Sequence, residues 1–278
     1  MTLQREPIPE HWLAPLETLI RDAGVAIMAV YQSPDAISVE TKADDSPLTA
    51  ADRAAHGVIA AGLARLTPEI PLLSEESTLP AFAERQQWTR YWLVDPLDGT
   101  KEFISRNGEF TVNIALIDRG EPVLGLVYVP VTGVLYGGVH GQGAWRQDES
   151  GRHPIRTRTL TPGKQVTVVA SRRHGGELLA PLLARVERQF AAVECVSVGS
   201  SLKLSMLAEG AADWYPRLAP TSEWDTAAAQ AILEAAGGVV VDEQFRPLRY
   251  NTRDSVLNPF FHALADPLFD WPVLLMAR

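Results

Sequence analysis

Residues 91–103 read YWLVDPLDGTKEF. Four apolar or aromatic residues run straight into two aspartates, Asp95 and Asp98, with only Pro96 and Leu97 between them. A short apolar run bounded by turn residues reads as a buried strand, so YWLVD is a strand that delivers carboxylates at its mouth. Pro96 stiffens the turn, and the spacing of three lets Asp95 and Asp98 each reach a different cation or bridge two. Gly99 allows close backbone approach. A short helix starting at Thr100 would turn free N–H groups and its positive dipole end toward a phosphate. Metal ligands beside an anion cradle are the equipment for phosphate-ester hydrolysis.

Other carboxylates stand in comparable places. Glu75 and Glu76 end the apolar run PLLSEE, Asp44 and Asp45 precede the second helix, and Asp225 sits in TSEWDTAAAQAILEAAGG ahead of an apolar helix. All-oxygen donors of this kind suit a hard cation such as Mg²⁺, which takes one or two carboxylates, several waters and phosphate oxygens. Plainer readings stand beside these. Asp225 is a good helix N-cap by itself, a role compatible with offering its second oxygen to a metal. Asp98-Gly99 alone is a common turn. Glu76 reads as an exposed acid, and Trp92 and Leu93 as core. Other chemistries lack their signatures. No strand leads into GxGxxG, and GQGAW at Gly141 is a weak lookalike inside a strand-rich stretch. There is no GxxxxGK[ST], no HExxH or CxxC, and GSS at Gly199 is not a GxSxG elbow.

Around these residues the periodicity predicts an amphipathic helix over 11–32, a strand in ISVETK, and an Ala-rich helix after Thr49, with Asp52 completing a capping-box-like start and Pro68 closing it. FTVNIALID, EPVLGLVYVPVTGVLYGGV and GAWRQ alternate strands with turns, which reads as an antiparallel meander. From His153 to Lys164 the pattern loosens into turns. VTVVAS, a helix from Gly176 to Phe190, VECVSV, a helix from Ser201 to Glu209, ADWYPRL, a helix after Asp225 and GGVVVD then alternate strand and helix, which is α/β character. The expected division is an α+β part over 1–155 and an α/β part over 156–278.

Composition narrows the classes. The chain has 278 residues, 46% hydrophobic and 21% charged, which is globular composition. A formal net charge of −9 argues against nucleic acid as a bulk partner, and an anionic substrate would need local compensation such as a bound metal. The one cysteine, Cys195, excludes an internal disulfide and suits a reducing compartment. MTLQREPIPEHW shows no signal pattern and no apolar run reaches a membrane span.

LLSEES, WLVDPLDGTKEF, SPLTAAD and EWDTAAAQAILEAAGG resemble the inositol monophosphatase superfamily of Mg²⁺-dependent, lithium-sensitive phosphatases. KADDSPLTAAD, the whole of YWLVDPLDGTKEFISRNGEFTVNIALI, SVGSSLK and LNP near the end bring the resemblance closer to that superfamily's 3'(2'),5'-bisphosphate nucleotidases of the CysQ type. The resemblance implies a layered αβαβα sandwich with the site between its two halves. It implies one Mg²⁺ at Glu75, Asp95 and the Leu97 carbonyl, a second at Asp95, Asp98 and Asp225, and a third at Glu75 through waters. Asp44 and Thr100 would orient and deprotonate the attacking water, and Gly99 and Thr100 would bind the scissile phosphate. One departure appears in this sequence. Many relatives place the aspartate three residues before the threonine matching Thr49, where Ser46 stands here. KADDSP resembles the nucleotidase version, which selects Asp44, with Asp45 as the alternative.

The substrate so implied is adenosine 3',5'-bisphosphate, a by-product of sulfate assimilation, cleaved to AMP and phosphate. Ser171 and His174 of SRRH would meet ribose and base. Gly199, Ser200 and Lys203 of GSSLK, with Arg217, would hold the base or the second phosphate; each also reads as a surface or cap residue. The expected setting is a cytoplasmic monomer or homodimer without stable membrane insertion, possible peripheral contact with the inner membrane aside. Inositol monophosphate and fructose bisphosphate are alternative substrates. A haloacid-dehalogenase-type phosphatase would place its aspartates two apart as DxD, against the spacing of three here. A nucleotide-binding protein without catalysis would have lost a ligand, and every expected carboxylate is present.

Overall fold

The computed structural model describes residues 6–33, 39–41, 47–170 and 176–276. Asp44, Asp45, Ser171 and His174 lie outside the described residues. The chain runs α1 (Leu13–Tyr31), β1 (Val39–Thr41), β2 (Pro47–Thr49), α2 (Ala50–Leu66), β3 (Leu72–Ser74), α3 (Phe82–Arg85), β4 (Arg90–Asp98), α4 (Thr100–Ile104), β5 (Thr111–Asp118), β6 (Glu121–Val129), β7 (Val134–Val139), β8 (Gly143–Asp148) and β9 (Gly151–Ile155). It continues through β10 (Gln165–Val169), α5 (Gly176–Gln189), β11 (Ala192–Val196), α6 (Leu202–Ala208), β12 (Trp214–Arg217), α7 (Glu223–Ala235), β13 (Val239–Asp242), β14 (Phe261–Leu264) and α8 (Trp271–Met276).

Strands β3 to β9 form one seven-stranded sheet in sequence order. From β4 onward its pairs are antiparallel, as the alternating runs and turns predict, and β3 joins parallel to β4. The second sheet has the order β11-β10-β12-β14-β13, parallel between β10 and its two neighbours and antiparallel about β14. The capping box at α2 forms: the Asp52 carboxylate accepts from the Thr49 N–H at 2.8 Å and its hydroxyl at 2.5 Å. Some expectations need correcting. The loosened stretch from His153 begins as β9, an edge strand whose largely exposed side chains leave no apolar alternation to read. Strand β14, with four residues, and helix α3, also with four, were too short to show a period.

The layers follow from which face each strand residue serves. Trp92 and Val94 of β4, Ile114 and Leu116 of β5 and Leu124 and Leu126 of β6 cluster with Leu16, Ile20 and Ile27 of α1 and Ala55 and Ile59 of α2. Tyr91, Leu93, Ala115 and Val127 face the other way, onto α6 and α7 and onto the inner face of the second sheet at Tyr215, Val240, Phe261 and Ala263. The outer face of that sheet, at Val166, Val168, Trp214 and Leu264, is covered by Leu179 and Val186 of α5 and Trp271 and Leu275 of α8. The stack is helices, sheet, helices, sheet, helices: a layered αβαβα sandwich.

Helix α7 lies in the middle of this stack, so its apolar surface goes nearly all the way round, which is the pattern of a buried helix. Its alanines allow a close approach, and glycines on the sheet complete it. A methyl group on Gly125 would lie 2.0 Å from the Ala228 carbonyl oxygen, and one on Gly138 would lie 2.6 Å from the Ile232 Cα. Both obstacles are backbone, so neither can turn aside. Gly125→Ala should therefore cost about 1–3 kcal/mol by overpacking, read as a lower urea midpoint with an unchanged m-value; a wild-type midpoint would mean that α7 is free to shift.

His262 on β14 is buried, its Nδ1 accepts from the Trp214 indole N–H at 3.3 Å, and Phe245 stacks on its ring. Burial holds its pKa down at about 4, from an ordinary 6.5. The imidazole is neutral in the fold while the unfolded chain binds a proton below 6.5. Its effect is therefore absent above pH 6.5, and stability falls as pH drops from 6.5 toward 4, by on the order of 3 kcal/mol in full. In urea titrations at pH 7 and 4.5, the advantage of wild type over His262→Gln should shrink or reverse at the lower pH.

Candidate active site

The opening motif is explained by the pleat of β4 and one break in it. Alternation places Tyr91, Leu93 and Asp95 on the face toward α7. Continued unbroken, it would send Asp98 to the opposite face. The register against β5 instead slips between Asp95, paired with Asn113, and Asp98, paired with Thr111. Across this bulge the Leu97 side chain drops into the cluster with Phe103 and Phe110 on the α1–α2 side. Asp98 is thereby re-aimed to the face that already carries Asp95, which is what bulges beside functional sites commonly do. The Asp95 carboxylate closes the turn from within, accepting from the Leu97 N–H at 3.0 Å.

Gly99 follows at φ 91° as the N-cap of the single-turn helix α4, a left-handed position that favours glycine. The Thr100 hydroxyl turns back to the Leu97 carbonyl at 3.5 Å. Asp225 comes from the first turn of α7. It is not the N-cap: Ser222 is, and Asp225 is the third helical residue, whose Oδ2 accepts from the Ser222 N–H at 2.9 Å. One oxygen serves the cap. The helix start is pinned further by Asn258 of LNP, whose amide donates to the Ser222 carbonyl at 2.8 Å and the Thr226 hydroxyl at 3.0 Å. Glu223 accepts from the Asn251 N–H with both oxygens, at 2.9 and 3.0 Å.

Four carboxylates meet at this point. Asp95 is 1% exposed; burial, then the charges of Glu75, Asp98 and Asp225, push its pKa well up, and Glu75 at the end of β3 hydrogen-bonds to it. Asp98 is pushed to about 6 by burial, against the pull of Lys203. Asp225 is pushed to about 8, by burial and then by Asp98. Glu76, next in sequence, is half-buried rather than exposed. A cleft of about 160 Å³ opens over the group, lined among others by Asp98, Gly99, Ser200, Lys203, Arg217 and Asp225. Lys203 donates to the Ser200 carbonyl at 3.0 Å, and Arg217 to the carbonyls of Ala219 and Pro220 at 3.0 and 2.7 Å. Burial lowers the Lys203 pKa, and the Asp98 charge opposes that. Gly199 stands behind the wall, its N–H taken by Glu109 at 2.8 Å.

The structure thus gathers Glu75, Asp95, Leu97, Asp98, Gly99, Thr100, Ser200, Lys203, Arg217 and Asp225, and sets Gly199 one layer back. The reading of the sequence missed Glu102, Tyr215, Thr221 and Ser201 in the cleft wall, and Asn113 beneath it. Among the described residues no three carboxylates already form an ion-sized cage. The chemistry of the donor set nevertheless fits a hard cation: all oxygen, anionic, desolvated and mutually repelling.

A model of the inositol monophosphatase family matches residues 9–268 of this sequence. The chain belongs to the inositol monophosphatase family. It is 53% identical over 243 residues to a 3'(2'),5'-bisphosphate nucleotidase CysQ of Escherichia coli, covering 87% of this chain and 95% of that protein. It is 41% identical over 249 residues to the protein of that name from Buchnera aphidicola, covering 89% and 91%. The crystal structure of CysQ from Bacteroides thetaiotaomicron superposes with a TM-score of 0.79 at 40% identity, over 91% of this chain and 97% of that one. The resemblance drawn from DPLDGT, EWD and the flanking motifs therefore holds over residues 9–268 of this chain.

Carboxylates that repel one another weaken the metal-free fold, and a divalent cation should relieve them. Mg²⁺ should raise the melting temperature of wild type. Asp95→Asn, which removes the most deeply buried of the four acids, should raise the metal-free melting temperature by about 2–4 °C, the equivalent of ~1 kcal/mol in a chain of this size, and abolish the response to Mg²⁺. A mutant that still responds like wild type would remove Asp95 from the ligand set.

Proposed function

We propose that the chain is a Mg²⁺-dependent 3'(2'),5'-bisphosphate nucleotidase that hydrolyses adenosine 3',5'-bisphosphate to AMP and phosphate. The observation that carries the reading is the convergence of Glu75, Asp95, Asp98 and Asp225 beneath a cleft that also holds Lys203 and Arg217. The names of the relatives support the substrate class. Glu75, Asp95, Asp98, Asp225 and the Leu97 carbonyl would hold two Mg²⁺ ions, with a third at Glu75. Such ions supply Lewis-acid neutralisation of the phosphoryl oxygens and lower the pKa of water.

The protein's own groups do the rest. Gly99 and the Thr100 N–H face the scissile phosphate from the start of α4. The Thr100 hydroxyl accepts a proton from the attacking water only by passing its own to a base, a role assigned to Asp44 with Asp45 as the alternative. Lys203 and Arg217 offset the charge of the second phosphate or meet the base, and Ser171 and His174 meet the ribose and base from beyond the described residues. The product chemistry fits a place in sulfate assimilation, in the cytoplasm, as a monomer or homodimer. Among the described residues no helix is long and apolar enough to cross a membrane.

The decisive assay compares adenosine 3',5'-bisphosphate, inositol monophosphate and fructose bisphosphate with Mg²⁺. The bisphosphonucleotide should give the highest kcat/KM. Lys203→Ala should raise its KM by about tenfold, the equivalent of ~1.4 kcal/mol, and leave inositol monophosphate turnover nearly unchanged. Preference for a sugar phosphate would assign the alternative substrate. Equal losses on both substrates would make Lys203 a support of the shared site.

A further inference from the structure

Asn113 lies in the middle of FTVNIALID, a run whose strand residues are all buried. It is 1% exposed, and its amide nitrogen has no hydrogen-bond partner. A buried donor left unmade costs about 1–3 kcal/mol, so such a group calls for a reason.

Its surroundings supply one. Asn113 is the direct strand partner of Asp95, and Thr111 is the partner of Asp98. Direct partners share a face of the sheet, so the amide stands on the side that carries the carboxylates. The two β5 residues are joined through a residue of the opposite sheet's connection: the Ser201 hydroxyl lies 2.8 Å from the Asn113 Oδ1 and 2.8 Å from the Thr111 hydroxyl. A hydroxyl has one proton. Ser201 gives it to Asn113, and Thr111 gives its own to Ser201, which makes a chain of one polarity. The reverse setting of the amide would turn its oxygen on to the Asp95 carboxylate, oxygen against oxygen once that acid is ionised in the loaded state. Against an Asp95 ionised by a bound cation, electrostatics sets the NH₂ toward the acids. Ser201 also donates its backbone N–H to Asp98, so one residue fixes both the amide and the second carboxylate.

We infer that Asn113 is a positioning residue of the metal site, its amide NH₂ held by Thr111 and Ser201 as a donor to the Asp95 carboxylate in the loaded state. This rests on the metal-dependent reading of the site. Asp95 is the acid assigned to two ions at once, so both of its oxygens need fixed directions. The Leu97 N–H fixes one oxygen, and Asn113 supplies a donor from the neighbouring strand. Partners of this kind behind metal ligands typically change affinity or activity by about 10–100-fold when removed.

The test measures Mg²⁺ binding without substrate, by calorimetry and by the Mg²⁺ dependence of the melting temperature, on wild type, Asn113→Leu, Asn113→Asp and Ser201→Ala. Asn113→Leu keeps the volume and removes the donor. It should raise the Mg²⁺ midpoint about 10–100-fold and leave KM for the phosphate ester at saturating Mg²⁺ within about threefold, a split that a general packing defect would not produce. Ser201→Ala frees the amide and should give a smaller shift of the same sign. Asn113→Asp adds a fifth acid, and its metal-free melting temperature should fall. If Asn113→Leu does not fold, Ser201→Ala carries the test alone. A wild-type Mg²⁺ midpoint in the folded variants overturns the inference and leaves the proposed function standing. Wild type that binds Mg²⁺ yet hydrolyses none of the esters overturns the function and leaves Asn113 to be judged on the midpoint. Wild type that binds no divalent cation overturns both.

Discussion

The close seat of α7 between the two sheets is the constraint from which the site's geometry follows. Asp225 is carried on that helix and Asp95 and Asp98 on β4 of the sheet below it. Their separation is therefore the thickness of a helix–sheet contact. Alanine on one side and Gly125 and Gly138 on the other make that contact backbone-to-backbone. Larger side chains would hold the acids apart, and no rearrangement of rotamers would bring them back.

The same contact explains the electrostatics. Packing that brings acids together also removes water from around them, so burial leads the causes raising Asp95, Asp98 and Asp225. Acids gathered in this way store unfavourable interaction that a bound cation would release. Part of the folding free energy is thus given up to gather the acids, the usual relation between a functional site and local stability.

Much of the fold was legible because its signals are local. The 3.6-residue period of α1, the Thr49–Asp52 box and the alternating strands of the first sheet each lie within a few consecutive residues. Asp95 and Asp98 stood out for the same reason, although the bulge that aims them was not visible: DPLD shows a turn, not which face each acid takes. The meeting of β4 with Asp225 depends on 130 residues of intervening topology, and only the resemblance to known phosphatases supplied it. Short elements such as β14 and α3 carried no period. Asn113 did leave a trace, a lone amide in an apolar strand, yet its neighbours Ser201 and Asp95 come from other parts of the chain. The roles assigned to Asp44, Ser171 and His174 remain readings of sequence.

Asp225 serves two masters. One oxygen closes the start of α7, and the other is left for the cleft. Helix formation asks only for an acceptor at this position, which asparagine also provides, whereas cation binding asks for the charge. A descendant of this chain that no longer needed its chemistry would still be held by its own folding to an acceptor here. An aspartate at the head of this helix is therefore weak testimony that a relative is active.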